Sequence, residues 1–272
     1  MSWYNLHGKI KNVIWGENSL EETLSLLCVP RKGMKFNMIK IKFIKEQNKS
    51  VAYDDNYRIG ECDFIETKDY WNIVHTEVDN SYQGKGIARK LVEIIIENAK
   101  ENNKKIVADC SYAKKLLERN NKYMKIAKEM SIKGFKNNEG GPFGAVITDK
   151  EGNIIAEGNN RVLCDLDPTA HAEICTIREA CKKLKTYDLS NYILYTSCEP
   201  CPMCLSAIIW SNIKEVYYGC TKEDAGNIGF RDDIIYKYLK GENKDLINLK
   251  QLDREECIKA FEEYSKNNGT IY

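Results

Sequence analysis

Two stretches decide how the second half of this chain folds. They are Thr169-Ala170-His171-Ala172-Glu173 and, beginning 25 residues after that glutamate, Cys198-Glu199-Pro200-Cys201-Pro202-Met203-Cys204. One imidazole and two thiolates form the soft N/S ligand set of zinc, and three protein ligands leave the fourth tetrahedral position open. Cys201 and Cys204, spaced i, i+3, share a face if a helix starts at Pro202, where the missing N–H of proline costs nothing. The dipole of that first turn favours thiolate over thiol. His171 opens a helix of its own, since Ile174, Ile177, Cys181 and Leu184 follow at helical spacing. Two helix N-termini are thus expected to converge on one metal. A purely structural zinc site has no use for a carboxylate, so Glu173 reads as a general base and acid beside it.

Working outward, the segment from about residue 121 alternates strand and helix. It reads as strands Phe143 to Thr148 and Ile154 to Asn159, a helix from His171 to Leu184 and a strand from Tyr192 to Thr196. A helix from Pro202 to Ser211, a strand from Glu215 to Gly219 and C-terminal helices follow. That order describes an α/β/α layered domain with a mixed sheet. Upstream, short strands are expected from Met38 to about Val78, then a helix over Gly86 to Lys100 with Ile87, Leu91, Ile94, Ile95 and Ala99 on one face, then a strand from Lys105 to Ala108. A charged helix from about Ala113 to Lys133 contains the boundary, because no Gly/Ser/Pro linker separates the two units. The expected division is an extension over 1–36 whose order the sequence does not define, an α/β unit over 37–120, and a second α/β unit over 121–272. The extension holds one weak helical signal near Ser19 to Leu27, and Met34 and Met38 stand just before the first clear strand.

Composition fits two globular units. At 272 residues the chain exceeds one ordinary domain. No apolar run approaches the ~20 residues that cross a bilayer. The run from Leu24 to Val29 is broken by Ser25 and follows Glu21 and Glu22, so no signal peptide is expected. Eleven cysteines in a chain of this length fit reduced thiols in the cytoplasm better than a disulfide scaffold. Net charge is +1 overall, and residues 121–272 carry 21 basic against 23 acidic side chains. A nucleic-acid partner, which needs a concentrated basic surface, is not expected.

The H-x-E and P-C-x-x-C pairing is the pattern of zinc deaminases that act on nucleobases, with the glutamate outside the coordination sphere. Gly140-Gly141-Pro142-Phe143-Gly144-Ala145, Asn159-Asn160, Asp167 to Glu173, Thr196 to Cys204, Trp210 and Gly229-Phe230-Arg231-Asp232 closely resemble bacterial guanine deaminases of the cytidine-deaminase-like superfamily, over most of Tyr123 to Tyr272. The resemblance implies zinc on His171, Cys201 and Cys204, and a guanine pocket formed by Phe143, Asn160, Trp210, Phe230, Asp232 and Tyr272. It further implies a domain-swapped homodimer in which the segment of Phe230 and Asp232 closes the partner's site. Arg231 stands where the family often has an acidic residue. Each pocket residue has a plainer use as well: the three rings as core aromatics, Asn160 as a turn residue, Asp232 as surface charge.

In the first unit, Trp71 to Val78, Tyr82-Gln83-Gly84-Lys85-Gly86-Ile87-Ala88, the long helix and Ile106 to Tyr112 resemble the acetyl-CoA loop of the GNAT acyltransferase superfamily. Glycines between strand and helix let backbone N–H groups approach a pyrophosphate. The resemblance implies acetyl-CoA on Gln83, Gly84, Lys85, Gly86 and Ala88, with Cys110 near the thioester. A buried Cys110 and a hydrogen-bonded His75 are the structural readings of the same residues. Two other functions stay open: a zinc deaminase of another base (cytosine, guanosine or a tRNA adenosine), and a non-catalytic protein that responds to acetyl-CoA.

Overall fold

The computed structural model describes residues 39–271; the expectations placed on residues 1–38 and on Tyr272 lie outside them. Five strands open the chain: β1 (Ile39–Ile44), β2 (Lys49–Asp54), β3 (Tyr57–Glu66), β4 (Tyr70–Val78) and, after helix α1 (Ile87–Glu101), β5 (Lys105–Ala108). They form one sheet in the order β1-β2-β3-β4-β5, antiparallel except for the parallel β4–β5 pair. Helix α1 lays Ile87, Leu91, Val92, Ile95 and Ala99 on it, as their spacing requires. Ala52, Phe64, Trp71 and Ile73 meet that stripe in one core, and Ser50 donates to the Leu91 carbonyl at 2.8 Å.

Helix α2 (Ser111–Lys136) is 26 residues long, about 39 Å at 1.5 Å per residue. Its two halves belong to different cores. Ala113 and Leu116 pack into the first, whereas Tyr123 and Ala127 pack with Val146, Ile193 and Tyr195. The rest of the chain reads β6 (Gly144–Thr148), β7 (Ile154–Asn159), α3 (Val162–Asp165), α4 (Ala172–Leu184), β8 (Ile193–Cys198), α5 (Pro202–Trp210), β9 (Glu215–Cys220), α6 (Lys222–Asn227), α7 (Asp233–Leu239) and α8 (Arg254–Lys266). The second sheet is β7-β6-β8-β9 and is mixed, since only β8–β9 is parallel. Alternation assigns its faces: Val146, Ile193 and Tyr195 turn toward α2, while Ala145, Ile147 and Leu194 meet Ala172, Ile177 and Ile208 of α4 and α5. Helix–sheet–helix layering results.

The closest approach is between α2 and β6. A Cβ on Gly144 would stand 2.2 Å from the Ala127 carbonyl oxygen and 2.5 Å from the Ser131 nitrogen, both backbone atoms that cannot swing aside. Gly144→Ala is therefore expected to destabilise the fold by about 1–3 kcal/mol or more. Chemical denaturation monitored by circular dichroism measures this, and an unchanged midpoint would show that α2 is free to back away.

Candidate active site

His171 and Cys201 are the N-cap residues of α4 and α5, both with extended backbone, and Pro202 takes the first helical position of α5. Cys204 follows one turn later and is fully buried. The result is a convergence of two helix N-termini at the Cys198 end of β8. Nδ1 of His171 lies 3.6 Å from Cys201 Sγ and 3.5 Å from Cys204 Sγ, and the three ligand atoms lie within 4.8 Å of one another. A tetrahedral zinc with ordinary Zn–S and Zn–N bonds sets its N and S ligands about 3.6 Å apart. The donor set and its spacing both fit that ion.

Electrostatics agree with the ligand set. The Cys204 thiol donates to Cys201, which with His171 holds Cys201 down at about 4 despite burial. The same bond, together with burial and the nearby Glu173, pushes Cys204 up. A cation between the two sulfurs replaces that shared proton. His171 is raised chiefly by its bond to Cys201.

Glu173, 5% exposed, sits in the first turn of α4. Its Oε1 accepts from Thr196 Oγ1 at 3.1 Å, and its Oε2 faces Cys204 Sγ at 3.5 Å. Burial first, then the charge of Cys201, raises its carboxyl above the usual range. Thr196, fully buried on β8, is a residue the motif reading quoted without giving it a task. Its signal was a hydroxyl at a position whose strand alternation points it inward.

Around this cluster the structure gathers some expected pocket residues and leaves others apart. Asn160 is 4% exposed, and its Oδ1 accepts from the Gly141 and Val162 amides. The Phe143 ring meets Phe230 edge-on at 4.9 Å, and a Cβ on Gly141 would strike both rings. Asp232 caps α7, and its carboxyl is raised by burial, then by Cys201 and Glu199. Beside it lies a cavity of about 540 Å³ lined by Phe230, Asp232, Tyr236 and Lys222. In the single chain the segment of Phe230 and Asp232 thus lies on its own site. Trp210 is 70% exposed and ends α5 six residues, about 9 Å, beyond Cys204.

In the first unit, Gln83, Gly84, Gly86 and Ala88 line a cavity, while Lys85 and Cys110 do not. Lys85 sits over the Tyr82 ring, and Cys110 donates to Thr76 Oγ1 at 3.5 Å. His75 pairs with Glu77 at 3.4 Å on the exposed face of β4.

Comparison with known proteins places this geometry. The family model of the cytidine and deoxycytidylate deaminase zinc-binding region matches residues 117–220. Guanine deaminase of Bacillus subtilis (strain 168) is 48% identical over 141 residues, 52% of this chain and 90% of that protein. The chain belongs to the cytidine-deaminase-like zinc deaminases. It is a zinc aminohydrolase of guanine-deaminase-like type. A crystal structure of the Bacillus subtilis guanine deaminase superposes with a TM-score of 0.51 at 44% identity, covering 54% of this chain and 93% of that one. A tRNA-specific adenosine deaminase of Buchnera aphidicola subsp. Schizaphis graminum (strain Sg) is 37% identical over 149 residues, 55% of this chain and 95% of that protein. The family model of GCN5-related N-acetyl-transferase matches residues 49–126, so the two matches overlap along α2. Among the described residues no helix is long and apolar enough to cross a membrane.

In this zinc deaminase, Cys201→Ala or Cys204→Ala is expected to lower bound zinc from about one per chain toward none. Elemental analysis of the purified variants reads this directly, and undiminished zinc would remove that thiolate from the ligand set.

Proposed function

We propose that the chain hydrolyses guanine to xanthine and ammonia at the centre formed by His171, Cys201, Cys204 and Glu173. The observation that carries this reading is a buried Glu173 held against a zinc-fitting N/S/S cluster, in a segment 48% identical to a guanine deaminase over nearly that enzyme's full length. Zinc on such a donor set lowers the pKa of a bound water so that hydroxide is available near neutral pH. Thr196 fixes Oε1 of Glu173, which leaves Oε2 to accept the proton released by the attacking water. Glu173 then delivers it to a ring nitrogen and afterwards to the departing amine, so that C2 gains oxygen as its bond to nitrogen breaks. The raised carboxyl suits a group that must both take and give a proton near pH 7. Asn160, whose Oδ1 is spent on two backbone amides, keeps its NH₂ to donate to a purine acceptor. Phe143 and Phe230 would wall the base, with Asp232 as an acceptor for its N–H groups; Trp210 and Tyr272 would complete the pocket.

Two other features belong to this reading. Leu246, Ile247, Leu249, Leu252 and Phe261 are all exposed in the single chain, and an apolar arm of this kind suits a homodimer that exchanges its C-terminal segment. The chain would divide into 1–36, 37–120 and 121–272, with the middle unit binding acetyl-CoA on the Gly84–Ala88 turn. Free thiols throughout the described residues suit a cytoplasmic setting.

Glu173→Ala should retain zinc while turnover falls by about 10²-fold or more; a zinc-loaded variant with full activity would end the proton-carrier role. Ammonia release from guanine, cytosine, adenine, guanosine and tRNA tests the substrate. Guanine alone is expected to be turned over rapidly. The tRNA deaminase relative makes inosine formation in tRNA without guanine turnover the outcome that would overturn the assignment.

A further inference from the structure

A second cavity, about 560 Å³, lies where the two units meet. Its first wall is the turn from Gln83 to Ala88 and the outer edge of β4. Strand β5 pairs with β4 only from Tyr70 to Ile73; Asp109 and Cys110 then both donate to the Ile73 carbonyl at 3.0 Å and the chain turns away into α2. Among the described residues, nothing pairs with the outer backbone edge of β4 beyond that point, where Thr76 and Val78 line the cavity. Gly84 and Gly86 both hold φ of +76° and lead into α1, whose N-terminal amides have no side-chain cap and no acidic residue in the first turn. The opposite wall comes from beyond the first unit's sheet. It consists of Arg119 of α2, Lys150 in the β6–β7 turn and Ile193 at the start of β8.

Every charged residue lining this cavity is cationic: Arg89, Arg119 and Lys150. Arg89 is engaged by Glu215 of β9. Arg119 donates through Nη1 to the Lys150 carbonyl at 3.2 Å, but its Nε is buried without an acceptor. An unsatisfied guanidinium N–H in a cavity wall calls for an acceptor that the protein does not supply. Uncapped helix amides beside it favour the same partner, an anion. An open strand edge adds backbone groups that suit an extended chain of amides.

We propose that this cavity is one site built by both units, for a phosphoester ligand of the acyl-coenzyme A class, with Arg119 and the Lys150 turn supplying the wall that the short first unit lacks. The proposal rests on reading the first unit as an acetyl-CoA binder and adds to it that the deaminase half completes the site. Phosphate sits between the α1 turn and Arg119. The amide-bearing arm lies along Thr76 and Val78.

The test is titration calorimetry of the full-length, zinc-loaded protein with coenzyme A, acetyl-CoA and pantetheine, the last lacking every phosphate. Coenzyme A and acetyl-CoA should bind and pantetheine should not. Arg119→Ala should weaken binding by about tenfold or more, the worth of one charge-assisted hydrogen bond, with unchanged zinc content as the measure of folding. Arg119→Lys should lose less, because it keeps the charge. Wild-type binding that Arg119→Ala leaves intact would overturn the two-unit site while sparing the acetyl-CoA reading, as would a loss equally large in Arg119→Lys. No binding of either thiol or thioester by the wild-type protein would end both.

Discussion

The hydroxyl of Thr196 donates to Oε1 of Glu173 at a place where neither residue reaches solvent appreciably, and the site is arranged around making that burial tolerable. A carboxylate, two thiols and an imidazole crowd against the core that holds Ala145, Leu194 and Ile208. Charges without partners there would cost several kcal/mol each. Helix N-termini offset part of that cost: α4 begins at His171 and α5 at Cys201, so both present uncapped amides and positive dipole ends to the cluster. The same requirement explains Pro202, which starts a helix without adding an N–H that needs a partner. It also explains why the ligands and the proton carrier are local in sequence. Each helix start delivers its residues within one turn.

Helix α2 imposes the second constraint. A rod of 26 residues whose halves lie in different cores leaves no hinge between the units, and the seam beside it is polar. Arg89 of α1 pairs with Glu215 of β9, Glu93 of α1 accepts from Tyr217, and Tyr195 donates to Asn120 at 3.0 Å. Burial raises the Glu93 carboxyl, a cost accepted in exchange for directional contacts. Such contacts fix orientation better than apolar surface, which permits sliding.

Much of this was legible in the sequence, for identifiable reasons. Helical spacing at Ile87, Leu91 and Ile95, and alternation through Gly144–Thr148, are local patterns that bury one face, so α1 and β6 stand where the sequence put them. His171, Glu173, Cys201 and Cys204 share two short motifs, and the structure brings them together. What the sequence hid is set by tertiary contact. Thr196 matters only because β8 lies under α4. Arg119 reads as one more charge on a charged helix until the β6–β7 turn is folded against it. The short helix α3 escaped notice because four residues, Val162–Asp165, carry no periodicity; Asn160 and the Glu139 carbonyl, which accepts from the Leu163 and Cys164 amides, hold it in place. Lys85 and Cys110 sit in the stretches that resemble acyltransferases, yet their side chains are turned to Tyr82 and Thr76.

Strand β8 runs between the two sites: Ile193 at its start lines the seam cavity, and Thr196, three residues or about 10 Å on, holds Glu173. That proximity does not make the strand a lever. Ile193 and Tyr195 face α2 whereas Leu194 and Thr196 face α4, so a push at Ile193 reaches Thr196 only by tilting or sliding the whole strand. Pairing with β6 on one side and β9 on the other opposes both movements, and a one-residue slip would exchange the two faces outright. A ligand in the seam therefore meets a stiff floor. Any influence it has on deamination must pass through differential contacts with two states of α2 or of the Arg89–Glu215 pair, since a ligand that favours neither state shifts nothing.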